Sequence, residues 1–254
     1  MQVVILCGGL GTRLSEETQL KPKPMVEIGG KPILWHIMKI YQGYSFNDFT
    51  LALGYKGEVI KDYFINYKES SNDLVLNVKT GNLKYLTDVS EDWNISLIDT
   101  GKDTLTGGRL LRLKDSINST FMLTYGDGLC DVNIKELLEF HKAHKKIATV
   151  TAVRPTARFG GMNLDNNIVK EFQEKPQAGE GWINGGYFIF EPGVFDYLDN
   201  DDSILERDCL ENLAKDGQLM AYQHEGFWQC MDTLREKTVL DDMCSSGDMP
   251  WFKD

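Results

Sequence analysis

Gly8, Gly9 and Gly11 fall within four residues directly after the apolar run Val3-Val4-Ile5-Leu6-Cys7, and Thr12-Arg13 follows at once. Such a run predicts a strand, so its glycines stand at the carboxyl edge of a sheet, where backbone amides free of side chains converge on an anion. The same glycines suit a tight strand-to-helix turn, or let the backbone lie flat against a base or ribose. Two familiar phosphate motifs fail. Leu14 stands where the dinucleotide fingerprint needs its third glycine, and no Gly-Lys-Ser/Thr follows to make a P-loop.

Cations come next, as Arg13 and then Lys21-Pro22-Lys23-Pro24. The prolines fix φ and disfavour helix before them, so this segment is extended and presents Lys23 as a placed point charge, while Lys21 reads as a solvated lysine. Asp127 follows the apolar run Phe121 to Tyr125 closely enough to reach from a sheet edge into a cleft. A hard cation such as Mg2+ takes oxygen ligands of this kind and fills its remaining positions with phosphate and water. Taken alone, an aspartate such as Asp127 is more often a turn or cap residue.

These residues need a scaffold, and the periodicity supplies one. Strands are predicted at Val3 to Cys7, Phe49 to Gly54, Ile95 to Asp99 and Phe121 to Tyr125. Helices alternate with them at Ile33 to Tyr41, Glu58 to Tyr67 and Gly108 to Ile117, and Ile134 to His144 follows the last strand. That rhythm predicts a mostly parallel sheet with helices on both faces. Two hairpins are expected as insertions: Leu74 to Lys79 with Leu83 to Val89 around Gly81-Asn82, and Met162 to Leu164 with Ile168 to Phe172 around Asn166-Asn167. A strand at Ala148 to Val153 precedes the second hairpin. The chain then reads strand (Ile183 to Phe190), helix (Ile204 to Lys215), strand (Leu219 to Gln223) and helix (Leu234 to Cys244). His36, His141, His144 and His224 all fall within these patterns and read as structural. With no linker-like tract or repeat, residues 1–254 are expected to form a single domain, with a nucleotide half over about 1–130 and an acceptor half over about 131–254.

Composition narrows the partners. A chain of 254 residues with 42% hydrophobic and 26% charged residues can bury a full core and carries no membrane-length apolar run. A formal charge of -11 repels a nucleic-acid backbone, yet a few local cations and a metal can still reverse the sign of one pocket. Five cysteines without a C-x-x-C pair argue against a zinc site or a disulfide framework, and the N-terminus lacks the look of a signal peptide. The expectation is a cytoplasmic protein that engages neither nucleic acid nor membrane.

Gly8-Gly9-Leu10-Gly11-Thr12-Arg13-Leu14, Lys21-Pro22-Lys23-Pro24-Met25 and Gly30-Lys31-Pro32-Ile33 together resemble the opening signature of the sugar-1-phosphate nucleotidylyltransferases. Ser15-Glu16-Glu17-Thr18 and Met25-Val26-Glu27-Ile28-Gly29-Gly30 are similar to its glucose-1-phosphate cytidylyltransferase branch. The likeness continues in order through Gly54-Tyr55-Lys56-Gly57, Thr106-Gly107-Gly108-Arg109, Tyr125-Gly126-Asp127-Gly128, Phe172-Gln173-Glu174-Lys175-Pro176, Ile183-Asn184-Gly185-Gly186 and Met231-Asp232-Thr233-Leu234-Arg235. It implies a Rossmann-like nucleotidyltransferase fold with a mixed central sheet, a divalent metal taken as Mg2+, and a homo-oligomer, with a hexamer as one candidate.

The substrates implied are CTP and a sugar 1-phosphate, glucose 1-phosphate in that branch, giving CDP-glucose and pyrophosphate. Joining two phosphates is chiefly a problem of charge neutralisation and in-line alignment, and the attacking phosphate is already ionised, so no strong base is needed. By resemblance, Leu6, Cys7, Gly8, Gly9, Leu10, Gly11, Thr12, Thr104, Arg109 and Gly126 surround the nucleotide. Arg13 holds the departing pyrophosphate, Lys23 contacts the phosphate being exchanged, and Asp232 joins Asp127 on the metal. Lys175 holds the acceptor phosphate and Glu174 belongs to the same sugar-phosphate site, while Gly160, Asn184 and Gly185 let the sugar approach the backbone. Physics alone leaves uracil open beside cytosine, so UTP or dTTP stays an alternative to CTP.

Overall fold

A computed structural model describes residues 1–155, 161–165, 168–173 and 181–252, with the backbone alone described for residues 13, 15, 16, 161–165 and 168–173. Along the chain run β1 (Val3–Cys7), α1 (Ser15–Thr18), β2 (Glu27–Ile28), β3 (Lys31–Pro32), α2 (Ile33–Gln42), β4 (Asp48–Leu53), α3 (Gly57–Ile65) and α4 (Tyr67–Ser71). Next come β5 (Leu74–Leu76), β6 (Leu83–Tyr85), β7 (Asn94–Asp99), α5 (Thr106–Leu111), β8 (Phe121–Tyr125), β9 (Gly128–Cys130), α6 (Ile134–His144) and β10 (Ala148–Val153). The chain closes with β11 (Gly161–Asp165), β12 (Ile168–Gln173), β13 (Ile183–Phe190), α7 (Glu211–Lys215), β14 (Leu219–His224), β15 (Trp228–Cys230) and α8 (Leu234–Ser246).

Seven strands form the central sheet in the order β14-β10-β13-β8-β1-β4-β7. Every neighbouring pair is parallel except the two made by β13, which runs antiparallel to β10 and β8. The expected mixed, mostly parallel sheet is therefore present, and both expected hairpins form, β5 with β6 and β11 with β12.

Strand β1 shows why the sheet must be covered twice. All five of its residues are buried, and side chains alternate across a strand: Val3, Ile5 and Cys7 enter one apolar core, Val4 and Leu6 the other. The first core takes Ile33, Ile37 and Tyr41 of α2, Leu240 of α8 and Trp251. The second takes Leu110 of α5, Phe195 and Leu213 of α7. Among the described residues no helix is long and apolar enough to cross a membrane.

The helix expected over Ile204 to Lys215 is one turn of π-helix, Leu205–Leu210, leading into α7. The helix expected from Gly108 begins earlier, at Thr106, and gives way after Leu111 to a separate 3-10 turn at Lys114–Ser116. Two short ladders escaped the pattern reading, β2 with β3 and β9 with β15, because two or three residues carry no measurable alternation.

Candidate active site

At the carboxyl end of β1 the chain turns sharply beneath the guanidinium of Arg109. That side chain, only 4% exposed, comes from α5 and spends its donors on four backbone carbonyls and one threonine hydroxyl. Nη2 donates to Gly8 O at 3.0 Å and Lys102 O at 3.2 Å, and Nη1 donates to Leu53 O at 3.2 Å, Gly101 O at 2.6 Å and Thr100 Oγ1 at 3.0 Å. Burial lowers its pKa from the ordinary arginine value, and the nearby Asp99 opposes that shift. A Cβ at Gly8 would stand 2.1 Å from Arg109 Cζ, so no larger residue fits this approach. Gly11 takes a left-handed φ of +63°, and its carbonyl accepts from Leu14 N at 3.0 Å and Thr18 Oγ1 at 3.1 Å.

Lys23 opens a 3-10 turn, Lys23–Met25, held by prolines on both sides and closed by Val26 N donating to Lys23 O at 3.0 Å. Its backbone thus has little freedom. Its Nζ donates to Asp127 Oδ2 at 2.6 Å and to Asp232 Oδ1 at 2.5 Å. Burial pushes the Lys23 pKa down, but attraction and hydrogen bonds from Asp127 and then Asp232 outweigh it and hold the ammonium above the usual lysine value.

The ladder of β9 and β15 brings these two aspartates together. Asp127 precedes β9, Asp232 follows β15, and the strands pair Gly128 with Cys230 and Cys130 with Trp228. Met231 N then donates to Asp127 O at 2.8 Å. Beyond Asp232, Thr233 caps α8 in a capping box with Glu236, whose Oε2 also accepts from Asp232 N at 2.8 Å. Asp232 is consequently held from the strand side and from the helix side.

A cavity of about 510 Å³ lies between these parts. Of the residues expected to bind nucleotide, Leu6, Cys7, Gly8, Gly9, Gly11, Thr12, Lys23, Thr104, Arg109 and Gly126 line it, as do Asp127 and Asp232. Asn184 and Gly185 line it from the start of β13. Leu10 is 52% exposed and does not line the cavity. Arg13 sits in the 3-10 turn Thr12–Leu14 that continues the loop. Gly160, Glu174 and Lys175 lie outside the described residues.

Four participants were not among the expected site residues: Tyr125, Thr106, Glu206 and Trp228. Tyr125 donates to Glu206 in a short hydrogen bond, Thr106 Oγ1 donates to Glu206 Oε2 at 2.9 Å, and Asn184 Nδ2 donates to Tyr125 Oη at 3.3 Å. Glu206 belongs to the π-helical turn, a local geometry that recurs at functional sites. Trp228 Nε1 donates to Gly185 O at 2.8 Å and so fixes the glycine beside the cavity. Each of these bonds joins residues at least 43 positions apart. None of the four histidines lines the cavity; His36, buried in the core, bonds to Ile28 O at 3.0 Å.

Residues 2–233 match the family described as nucleotidyl transferase. The chain belongs to the nucleotidyl transferase family. This nucleotidyl transferase is 49% identical over 253 residues to glucose-1-phosphate cytidylyltransferase of Salmonella typhi, with 99% of this chain and 98% of that one covered. The glucose-1-phosphate cytidylyltransferase of Salmonella typhimurium is likewise 49% identical, with the same shares covered. A crystal structure of HddC from Yersinia pseudotuberculosis has the same fold, with a TM-score of 0.71 at 24% identity over 97% of this chain and 99% of that one. The motif resemblance, to the superfamily and to its cytidylyltransferase branch, is borne out by these relatives.

Proposed function

We propose that this nucleotidyl transferase moves the cytidylyl group of CTP onto glucose 1-phosphate, releasing pyrophosphate and forming CDP-glucose. The observation that carries the reading is the placement of Lys23 and two carboxylates against a glycine-rich phosphate loop in one cavity. Relatives of nearly equal length at 49% identity supply the substrates. An oxygen of the sugar phosphate attacks the α-phosphorus of CTP, and the bond from that phosphorus to the departing pyrophosphate breaks.

The donor set suits a hard divalent cation such as Mg2+. Asp127 and Asp232 aim carboxylate oxygens at one point, taken by the Lys23 ammonium, and that convergence of oxygen donors supports the reading. Once bound there, the cation would neutralise charge on the phosphates. The chain's own groups do the rest. Backbone amides of Gly8 to Thr12 hold the phosphates, Arg13 steadies the pyrophosphate, and Lys23 stabilises the phosphate under exchange. Lys175 receives the acceptor phosphate, with Glu174 in the same sugar-phosphate site and Gly160, Asn184 and Gly185 around the sugar. Thr104 and Gly126 flank the nucleotide, and Arg109 supports the loop from below.

The chain works as one domain whose nucleotide half and acceptor half share the cavity. A homo-oligomer is part of the reading, supported by the β5–β6 hairpin, where Val75, Leu76, Leu83 and Leu86 are all at least 40% exposed. A cytoplasmic setting fits five cysteines of which none is in a disulfide.

The test is a pyrophosphate-release matrix of CTP, UTP, ATP, GTP and dTTP against a panel of sugar 1-phosphates with Mg2+. CTP with glucose 1-phosphate should dominate it. A clearly faster pair would overturn the substrate assignment.

A further inference from the structure

Lys23 stands between two carboxylates and the glycine-rich loop. On one side its Nζ lies 2.6 Å from Asp127 and 2.5 Å from Asp232, and on the other the phosphate loop passes so close that a Cβ on Gly11 would lie 3.2 Å from Lys23 Cβ. The backbone that carries it is pinned by Pro22 and Pro24 within a closed 3-10 turn. Only the side chain can move, and its four-carbon stem lets the ammonium swing as a point charge.

The carboxylates meanwhile are held independently of the lysine, by the β9–β15 ladder and the capped start of α8. An ammonium and a divalent cation cannot share this seat. Both would need the same carboxylate oxygens, and two cations at contact distance in a largely buried site repel strongly. A triphosphate in the loop offers Lys23 an alternative anion of higher charge within its reach.

We propose that Lys23 occupies the divalent-cation seat until nucleotide binds, and that its transfer from Asp127 and Asp232 to phosphate opens that seat, coupling nucleotide binding to metal binding. The lysine thereby neutralises the two carboxylates that the ladder and the helix cap already hold side by side. It also sets the order of loading, because a cation arriving alone must displace it, whereas one arriving with a triphosphate meets vacated oxygens. This inference rests on the reading of the cavity as a metal and nucleotide site.

The experiment measures Mn2+ binding by the loss of the free-ion electron paramagnetic resonance signal. Wild type, Lys23→Met and Lys23→Gln are each titrated alone and with α,β-methylene CTP, after correction for Mn2+ held by the nucleotide in protein-free controls. Thermal unfolding confirms that each variant is folded. Wild type alone should bind Mn2+ weakly and gain about ten- to a hundredfold with the nucleotide, the usual span of a coupling between two sites. Either uncharged variant should bind Mn2+ tightly without nucleotide and gain little on adding it, and Asp232→Asn in the same background should abolish that tight binding. Equal Mn2+ affinity of wild type and both folded variants without nucleotide would overturn the exchange and leave the metal site standing. Failure of every protein to bind Mn2+, with or without nucleotide, would overturn the metal reading and the exchange together.

Discussion

Asp127 and Asp232 differ in how they are held, and that difference bears on substitution. Asp232 is supported by Glu236 through its backbone amide and is 14% exposed in its side chain, whereas Asp127 is 31% exposed. Asparagine keeps the shape of either side chain while removing the charge that Lys23 and a cation need. Asp127→Asn and Asp232→Asn should each lower turnover by about 10²-fold or more, the usual cost of deleting an electrostatic stabiliser. The fold should survive, since the ladder bonds are made by backbone. Turnover measured across a metal titration, with far-UV circular dichroism alongside, checks both expectations; near-normal rates at the wild-type metal concentration would exclude these residues as principal ligands.

At the scale of elements, Arg109 ties four of them to one point. Its guanidinium bonds carbonyls after β1, at the end of β4 and after β7, while its backbone belongs to α5. Arg109→Met would fill most of the space and leave the Gly8, Leu53, Gly101 and Lys102 carbonyls without this donor. The expected loss is about 1–3 kcal/mol, because the Gly101 and Lys102 carbonyls lose the guanidinium while Leu53 O still accepts from Thr100 N and Gly8 O from Tyr55 N. Urea unfolding should show it as a lower midpoint with an unchanged slope. An unchanged midpoint would mean that water replaces the guanidinium at little cost. Gly8→Ala tests the same element from the other side, since the added methyl would meet the guanidinium.

At the scale of the whole molecule, acid should act through buried histidine. His36 is 3% exposed and packed against Trp35, Trp251 and Phe252; burial pushes its pKa down to about 4. The unfolded chain protonates the same residue near pH 6.5, so between about 6.5 and 4 the unfolded state binds more protons and stability falls as pH falls. The loss reaches on the order of 3 kcal/mol at the acid end of that window. His141 and His144, also lowered by burial, act in the same direction. Urea midpoints measured from pH 8 to pH 4.5 should drop accordingly, and His36→Gln should flatten the dependence; an equal slope in that variant would remove His36 as a cause. The same scale includes assembly. Leu76 and Leu83 face each other across β5 and β6, so Leu76→Glu with Leu83→Lys keeps a favourable cross-strand pair while removing exposed apolar surface. Sedimentation velocity should then show a smaller species than wild type, and an unchanged sedimentation coefficient would take the hairpin out of the assembly contacts.

Much of this was legible in the residues alone. Strands such as Val3–Cys7, Phe121–Tyr125 and Ile183–Phe190, and the helix Ile134–His144, announce themselves because burial on one or both faces imposes a period that local sequence must obey. The loop from Gly8 to Thr12 was equally visible, since close backbone approach and positive φ demand glycine whatever the surroundings. What tertiary structure alone decided is who meets whom across long stretches of chain. Lys23 lies 104 residues from Asp127 and 209 from Asp232, and only a ladder of three residue pairs, too short to leave a pattern, sets those carboxylates side by side. Glu206 gave no sign of joining Tyr125 and Thr106, and Arg109, which lines the cavity, also ties the backbone after three strands together. Local sequence encodes the direction and burial of each element, because those depend on neighbours along the chain; the pairing of charges depends on neighbours in space, which the folded sheet supplies.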